Sequence, residues 1–290
     1  MAAPALQLTP VSIERRHAPK YEDFVREFMV PHKPVIITGA LENWNASKWT
    51  PEFFREKFPN HPVRIGAKSY RMSDFIELVL NSSESAPAPY LRSVYIRRFL
   101  PQLLSDIRPL PEYMWPNWFR GPLASPLNSR MEGGAEQIYI GGKGGKFPFL
   151  HYDGWHTHAF LCQIYGTKEY TVFPEDQAKY LYVKPSQPNS SSVSDLESPD
   201  YEKFPLFAKA TPTRFLLEPG EILFIPGGLW HTAKMLTSSI TVSVNRANTS
   251  NWNRFTRDLR DVAPGYLRPA VAMYLGSLRA IRTVQNYIHK

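Results

Sequence analysis

The N-terminal part of the chain alternates helical and strand-like hydrophobic patterns. KYEDFVREFM (residues 20–29) and SDFIELVL have the apolar spacing of amphipathic helices, and the strand-like PVIITGAL follows the first of them. TPEFFREKFP has Thr50 as a candidate N-cap, Pro51 at the first helical position and Pro59 as a stop. Residues 1–130 are therefore predicted to form helices and strands that support a larger core.

Between residues 137 and 246 the pattern changes to short β-branched and aromatic runs. Glycine, proline and asparagine separate these runs, which is typical of an antiparallel sandwich or barrel. KPSQPNSSSVSDLESPD (residues 184–200) is too polar to fill a core and is predicted to be a long loop or flap. The second predicted domain, residues 131–250, is this β core.

The last part, residues 251–290, is predicted to be helical. Two apolar stripes recur at helical spacing, with Pro269 at the start of the second. One helix face would cover the barrel of its own chain or pair with a second copy in a homodimer. The stripes consist of Trp252, Phe255, Leu259 and Val262, followed by Leu267, Val271, Tyr274, Leu278, Ile281 and Ile288.

Composition and charge narrow the class of protein. A chain of 290 residues with 43% hydrophobic content is long enough for one catalytic-sized core. It has no run of about 18 apolar residues and only one cysteine, Cys162, so we expect an intracellular, cytoplasmic protein (nuclear if eukaryotic) with no membrane span or internal disulfide. A net charge of +8 fits an acidic protein or a nucleic acid as partner, or an ordinary solvated surface.

The segment HYDGWHTHAF (residues 151–160) is the first candidate for metal chemistry. In a β-strand alternate side chains share a face, so His151 and Asp153 would point inward together. His231, in LEPGEILFIPGGLWHTAKML, is the candidate for a third ligand. Two histidines and one carboxylate form the facial triad of non-haem Fe(II) oxygenases, although zinc is also held by three ligands in hydrolytic sites.

Lys168 favours iron over zinc. In KEYTVF, Lys168, Tyr170 and Val172 share one face of the predicted strand. If that face is inward, the ammonium group is buried and needs an anion, and the far carboxylate of 2-oxoglutarate would provide one. The alternative is a lysine that extends to the surface.

A series of motifs in order resembles one enzyme family. KPVIITGALENW with KWTPEFFREKF, HYD with QIYGTKEYTVFP, SPDYEKFPLF, and LEPGEILFIPGGLWH with ITVSVN are similar to the JmjC-domain, cupin-like 2-oxoglutarate oxygenases. The closest similarity is to the factor-inhibiting-HIF-like hydroxylase branch. This resemblance implies a double-stranded β-helix (jelly roll) with helical additions, and Fe(II), 2-oxoglutarate and O2 as cofactor and cosubstrates.

The resemblance also implies individual roles. His151, Asp153 and His231 would bind iron, while Lys168, Tyr90 and Asn245 would contact 2-oxoglutarate. Two departures concern the cosubstrate: KFPFLHYD lacks the family's threonine before HxD, and GWHTHAF contains about two extra residues. Thr157 or His158 is expected to supply the missing hydrogen bonds. His156 and His158 are not expected to bind iron, and Trp230 is expected to pack or to shape the substrate mouth.

Together these expectations predict an enzyme of the oxidoreductase class. The leading hypothesis is a dioxygenase that hydroxylates a protein side chain and releases succinate and carbon dioxide. The alternatives are hydroxylation of a tRNA or other nucleic-acid base, histone lysine demethylation, and a metal-binding cupin without catalysis that serves as an interaction module.

Overall fold

A computed structural model describes residues 13–118 and 136–288, with side chains as far as residue 283 at the C-terminal end. The strands are β1 (Arg15–His17), β2 (Val35–Thr38), β3 (Pro62–Ile65), β4 (Lys68–Arg71), β5 (Leu91–Tyr95), β6 (Gln137–Gly141), β7 (His158–Tyr165), β8 (Lys168–Phe173), β9 (Val183–Lys184), β10 (Gln187–Ser191), β11 (Thr213–Leu217), β12 (Ile222–Ile225), β13 (Trp230–Met235) and β14 (Ser239–Arg246). The α-helices are α1 (Tyr21–Phe24), α2 (Pro51–Lys57), α3 (Met72–Leu80), α4 (Ile96–Phe99), α5 (Trp252–Val262) and α6 (Arg268–Ile288).

Two sheets make up the β core. The larger has seven strands in the order β1-β2-β12-β7-β14-β6-β5, and the smaller has the order β11-β8-β13. All the neighbouring strands are antiparallel except β1 and β2. A cavity lies between the sheets and is lined from both. The predicted class, a jelly-roll core that is mainly β with helical additions, is confirmed.

The central strand β7 is buried on both faces. Phe160 and Cys162 point into the core shared with the N-terminal helices, whereas Ala159 and Leu161 face the three-stranded sheet. Burial on two sides accounts for the nearly continuous apolar run AFLCQIY. Cys162 is a buried free thiol, as expected.

The predicted N-terminal elements form. Thr50 caps α2, where its Oγ1 accepts a hydrogen bond from the Phe53 amide at 3.2 Å, and Pro51 is the first helical residue. The first helix continues beyond α1 as a π-helical turn over Val25–Met29. Because β1, β2 and β5 belong to the seven-stranded sheet, the N-terminal region is part of the same layer as the β core. The division at residues 130 and 250 stays a prediction.

The serine-rich segment 184–200 is more ordered than predicted. Residues Gln187–Ser191 form β10 and pair with β9, and Ser190, Ser191 and Val193 are buried. The prediction that this segment cannot pack was wrong in part. Ser191 can be buried because its hydroxyl group finds partners: Oγ donates to the Leu181 carbonyl and accepts from the Val193 amide.

The C-terminal helices pack on their own chain along part of the predicted stripes. Trp252, Phe255 and Leu259 form a cluster with Leu275 and Leu278. Val262 and Ile281 are exposed, and the side chain of Ile288 lies outside the described residues. Homodimerisation through this region stays a prediction. None of the helices in the described part of the chain combines the length and apolar content needed to cross a bilayer.

Candidate active site

Three metal-binding side chains meet at one wall of the cavity. One ligand atom from each of His151, Asp153 and His231 lies within 4.8 Å of the other two. His231 is the second residue of β13, but the prediction that HYD lies in a strand was wrong: His151 forms isolated bridges to Ser190 and His231, and Asp153 follows without strand structure. Two backbone hydrogen bonds, His151 N–H to the His231 carbonyl (3.1 Å) and the reverse (2.6 Å), fix the pair.

The side chains beside the ligands point away, as expected. Tyr152 packs against Trp230 with ring centroids 5.1 Å apart, in a cluster outside the cavity. Trp230 is buried and is not among the cavity-lining residues, so it packs rather than shapes the mouth. His151 and Asp153 therefore share one direction even though local pairing, not a regular strand, orients them.

Both imidazoles are oriented for metal binding through the same nitrogen. His151 Nδ1 lies 3.3 Å from the Phe149 carbonyl oxygen, and His231 Nδ1 lies 3.0 Å from the Leu229 carbonyl oxygen. A carbonyl only accepts, so each Nδ1 carries the proton and each Nε2 keeps its lone pair. Burial, followed by the neighbouring His231, holds the pKa of His151 well below its usual range, which favours the neutral form that binds metals.

Asp153 provides the test of whether a metal fits. Its Oδ2 is buried, and no residue in the part of the chain that the structure describes forms a hydrogen bond with it. Burial raises the pKa of this carboxyl, while His231 and a hydrogen bond with Asn245 act in the opposite direction. A buried carboxylate oxygen without a partner costs free energy unless a cation compensates it. The orphaned oxygen and the two free imidazole nitrogens fit a divalent ion of the iron type.

Lys168 lies in the same cavity, away from the metal cluster. It is only 1% exposed, so the alternative of a surface-directed lysine is wrong. Its Nζ donates to Thr241 Oγ1 (2.7 Å) and Tyr90 Oη (3.2 Å), and within the described residues no carboxylate pairs with it. Burial lowers the pKa of Lys168 to about 7. Gly141 permits this contact, because a Cβ there would lie 2.8 Å from Tyr90 Cδ2.

A polar network positions Lys168. Thr241 Oγ1 donates to Gln163 Oε1 at 2.8 Å, and Gln163 Nε2 donates to Ser239 Oγ at 2.9 Å. The predicted polar face of β14 is present: Thr241, Ser243 and Asn245 all line the cavity. The intervening Ile240, Val242 and Val244 belong to the opposite core.

The cavity has a volume of about 360 Å³ and includes residues that the sequence analysis missed. Tyr139 Oη donates to Gln137 Oε1 (3.2 Å) and accepts from Ser93 Oγ (3.0 Å). Burial raises the pKa of Tyr139 to about 12. In QIYIG these two polar residues alternate with Ile138 and Ile140, the same signal that identified β14. Gln187 and Asn189 reach the cavity from β10.

The structure separates the two candidates for the extra hydrogen bonds. Thr157 lines the cavity, and its Oγ1 accepts from Asn245 Nδ2 at 3.1 Å. His158 is not among the lining residues: its Nδ1 accepts from the Gly227 amide and its Nε2 lies 2.7 Å from Ser250 Oγ. The structure therefore does not bring His158 to the cosubstrate.

The remaining positions of this region have clear partners. His156 lies outside the cavity, with its Nδ1 2.6 Å from Asp258 Oδ2 on α5. Phe149, near the place of the family's threonine, contacts the ring of His151 edge-on at a centroid distance of 5.2 Å.

Comparisons with known proteins agree with this geometry. A family model described as a cupin-like domain matches residues 21–251. Lysine-specific demethylase 8 of Danio rerio is 30% identical over 250 residues, covering 80% of this chain and 57% of the relative. JmjC domain-containing protein D of Dictyostelium discoideum is 29% identical, covering 77% and 54%. tRNA wybutosine-synthesizing protein 5 of Mus musculus is 27% identical, covering 77% and 73%.

The chain spans a little more than half the length of the first two relatives. The family match covers well over half of the chain and includes the cavity and every strand of both sheets except β1. The JmjC family uses Fe(II), 2-oxoglutarate and O2, and the His-Asp-His cluster fits that requirement. The chain belongs to the cupin-like family, and the relatives that it resembles include JmjC-domain proteins.

Proposed function

We propose that this protein is an Fe(II)- and 2-oxoglutarate-dependent dioxygenase that hydroxylates a protein side chain. The observation that supports it best is one cavity with a complete His-Asp-His cluster on its wall and a buried lysine elsewhere that has no carboxylate partner. When bound, Fe(II) and 2-oxoglutarate would supply the oxidation together with O2: one oxygen atom of O2 would enter a substrate C–H bond, and the other would enter the succinate that forms, with carbon dioxide, from 2-oxoglutarate.

The protein residues have separate tasks in this proposal. His151, Asp153 and His231 hold the metal from one side and leave positions free for cosubstrate and oxygen. Lys168, with Tyr90 and Thr241, receives the far carboxylate of 2-oxoglutarate as a charge-assisted pair. Asn245 and Thr157 orient each other beside Asp153, and the surrounding aromatic side chains exclude water.

The decisive experiment measures succinate formation by the purified protein with Fe(II), 2-oxoglutarate and oxygen, alone and with a cell extract. We expect 2-oxoglutarate turnover that the extract stimulates and that His151→Ala abolishes, while the control His61→Ala, outside the cavity, stays active. Mass spectrometry of the extract proteins should then find a gain of one oxygen. Full activity of His151→Ala, or no turnover under any condition, would reject the proposal in favour of a non-catalytic cupin.

Hydroxylation of a tRNA base is the second candidate. It is supported by the similarity to tRNA wybutosine-synthesizing protein 5 over 73% of that protein and by the net charge of +8. Binding of tRNA through phosphate contacts would weaken steeply as salt is raised. Oxygen gained by tRNA but not by protein in the same extract would favour this candidate.

A further inference from the structure

The charge inside the cavity is sparse. Among the described residues that line it, Asp153 is the only acid and Lys168 the only lysine or arginine. If the proposed function holds, both are engaged, one with the metal and the other with 2-oxoglutarate. The groups left for the substrate are the uncharged hydroxyls and amides of Ser93, Gln137, Tyr139, Gln187 and Asn189.

The rim of the cavity is positively charged. Arg92, exposed on β5, lies over the ring of Phe147 at 5.1 Å, and Lys184 on β9 lies over Phe149 at 5.9 Å. Phe147 stacks on His151 with ring centroids 4.3 Å apart. Arg92 and Lys184, here called the rim cations, therefore flank the aromatic wall beside the metal cluster. No carboxylate forms an ion pair with either of them in the part of the chain that the structure describes.

The carboxylates near the cavity do not cancel the positive charge of its rim. Glu197 is held by Lys146 and Lys234, and Glu84 also pairs with Lys234, so these acids are neutralised by their own partners. Arg92 acts into the cavity, because its charge lowers the pKa of Tyr139 as a minor contribution beside burial. A cationic side chain that entered would lose its hydration and meet no free acid.

We propose that the substrate is an acidic polypeptide segment whose reacting side chain is uncharged, with the rim cations binding the acidic flanks. This inference rests on the proposed function and makes it more specific. It separates this chain from relatives whose names state lysine or arginine demethylation, because a methylated lysine or arginine keeps its positive charge. Two rim cations pair with too few phosphates for tight nucleic-acid binding, which favours a peptide over RNA.

The test uses the full-length protein loaded with Mn(II) and 2-oxoglutarate, so that binding is measured without turnover. Three fluorescent peptides serve as probes: asparagine flanked by glutamates, lysine flanked by glutamates, and asparagine flanked by lysines. We expect the first to bind about threefold to tenfold more tightly than the third at low salt, as for a few exposed ion pairs. The lysine-centred peptide should bind about tenfold more weakly than the first.

Charge reversal at the rim makes the test specific. Arg92→Glu with Lys184→Glu should abolish or invert the preference for acidic flanks, while 2-oxoglutarate binding stays unchanged. Lys57→Glu is the matched control, because Lys57 is also an exposed cation over a phenylalanine ring, but that ring, Phe53, does not line the cavity as Phe147 and Phe149 do.

The outcomes are distinct. Three results would overturn the inference and leave the oxygenase proposal intact. The first is equal binding of the three peptides, and the second is tighter binding of either lysine-containing peptide. The third is a single-stranded RNA that binds more tightly than all three peptides and no longer binds to the rim variant. Failure of the wild-type protein to bind 2-oxoglutarate with Mn(II) would instead reject the proposed function, and the inference with it.

Discussion

At one end of the cavity, His151 and Asp153 lie on backbone that is outside the regular strands, and Asp153 Oδ2 has no hydrogen-bond partner. At the other end, Lys168 and Thr241 lie within β8 and β14, and their polar atoms are linked in a network. The metal end is thus complete only when a cation arrives, whereas the lysine end is satisfied beforehand and exchanges partners when an anion arrives. Binding of the metal should therefore have the larger effect on stability.

The largest expected effect comes from removing the unpaired carboxylate. Asp153→Ala should weaken metal binding by at least about 100-fold, more than loss of a residue that only supports a ligand. The metal-free protein should become more stable by about 1 kcal/mol, because a buried oxygen without a partner is removed. Metal titration and thermal unfolding check both, with the exposed Asp176→Ala as control. If the metal-free variant unfolded at a lower temperature than the metal-free wild-type protein, the contrast between the two ends would be contradicted.

The lysine end should respond independently of the metal. Lys168→Met keeps the length of the side chain but removes the charge, so 2-oxoglutarate affinity should fall by roughly 10-fold to 100-fold, the value of a hydrogen bond to a charged group. Metal affinity should not change. Calorimetric titration of each ligand in turn measures this, and Lys179→Met, at the exposed surface, is the matched control. Equal losses for both ligands would mean that the two ends are not separable.

The pH dependence follows from Lys168. Its pKa is about 7 in the folded protein and is lowered by burial from an ordinary value of 10.5. The ammonium form receives the carboxylate, so 2-oxoglutarate binding should weaken above pH 7 by up to about tenfold per pH unit. The unfolded chain binds the extra proton between pH 7 and 10.5, so this residue makes the free energy of unfolding rise with pH over that range.

Affinity measured between about pH 6 and pH 9 tests the first statement, and chemical denaturation at the same pH values tests the second. Lys168→Met should remove both trends because it removes the group to which they are assigned. A pH trend that persists in this variant would assign it to another residue.

The smallest effect is expected where the C-terminal helix reaches the metal loop. His156 follows Asp153 by three residues, and its Nδ1 lies 2.6 Å from Asp258 Oδ2 on α5. Asp258→Asn should lower the free energy of unfolding by about 1 kcal/mol, because the pair is mostly buried. Asp261→Asn, whose carboxylate is exposed and 3.7 Å from Arg260, is the control. No difference between these two variants would mean that α5 does not support the metal loop.

The sequence was sufficient where strand alternation decides the direction of a side chain. Lys168 in KEYTVF and Asn245 in ITVSVN were assigned correctly to the cavity wall because both segments are regular strands. His151 and Asp153 were brought together correctly for the wrong local reason, since an isolated bridge to His231 replaces the expected strand. Pairing between segments that are far apart in the sequence leaves no periodic pattern in either segment.

Other cavity residues could not be predicted for a similar reason. Gln187 and Asn189 lie in a polar segment that resembles a loop, and β10 is held at the cavity by its pairing with β9 and by hydrogen bonds to residues 150–152. His158 and Thr157 are neighbours, and the backbone just before them is left-handed at Trp155 and His156, an irregularity that strand alternation does not predict. Tyr139 is different, because alternation in QIYIG was sufficient to find it.

The antiparallel register of β8 and β13 places His231 opposite Val172 and Met235 opposite Lys168. The two functional side chains are therefore four residues apart along the strand pair, about 13 Å between backbone positions at about 3.3 Å per residue. Such a fixed span discriminates between dicarboxylates by chain length. Acids one carbon shorter or longer than 2-oxoglutarate should compete poorly, because neither strand can slide without turning its side chains to the opposite face.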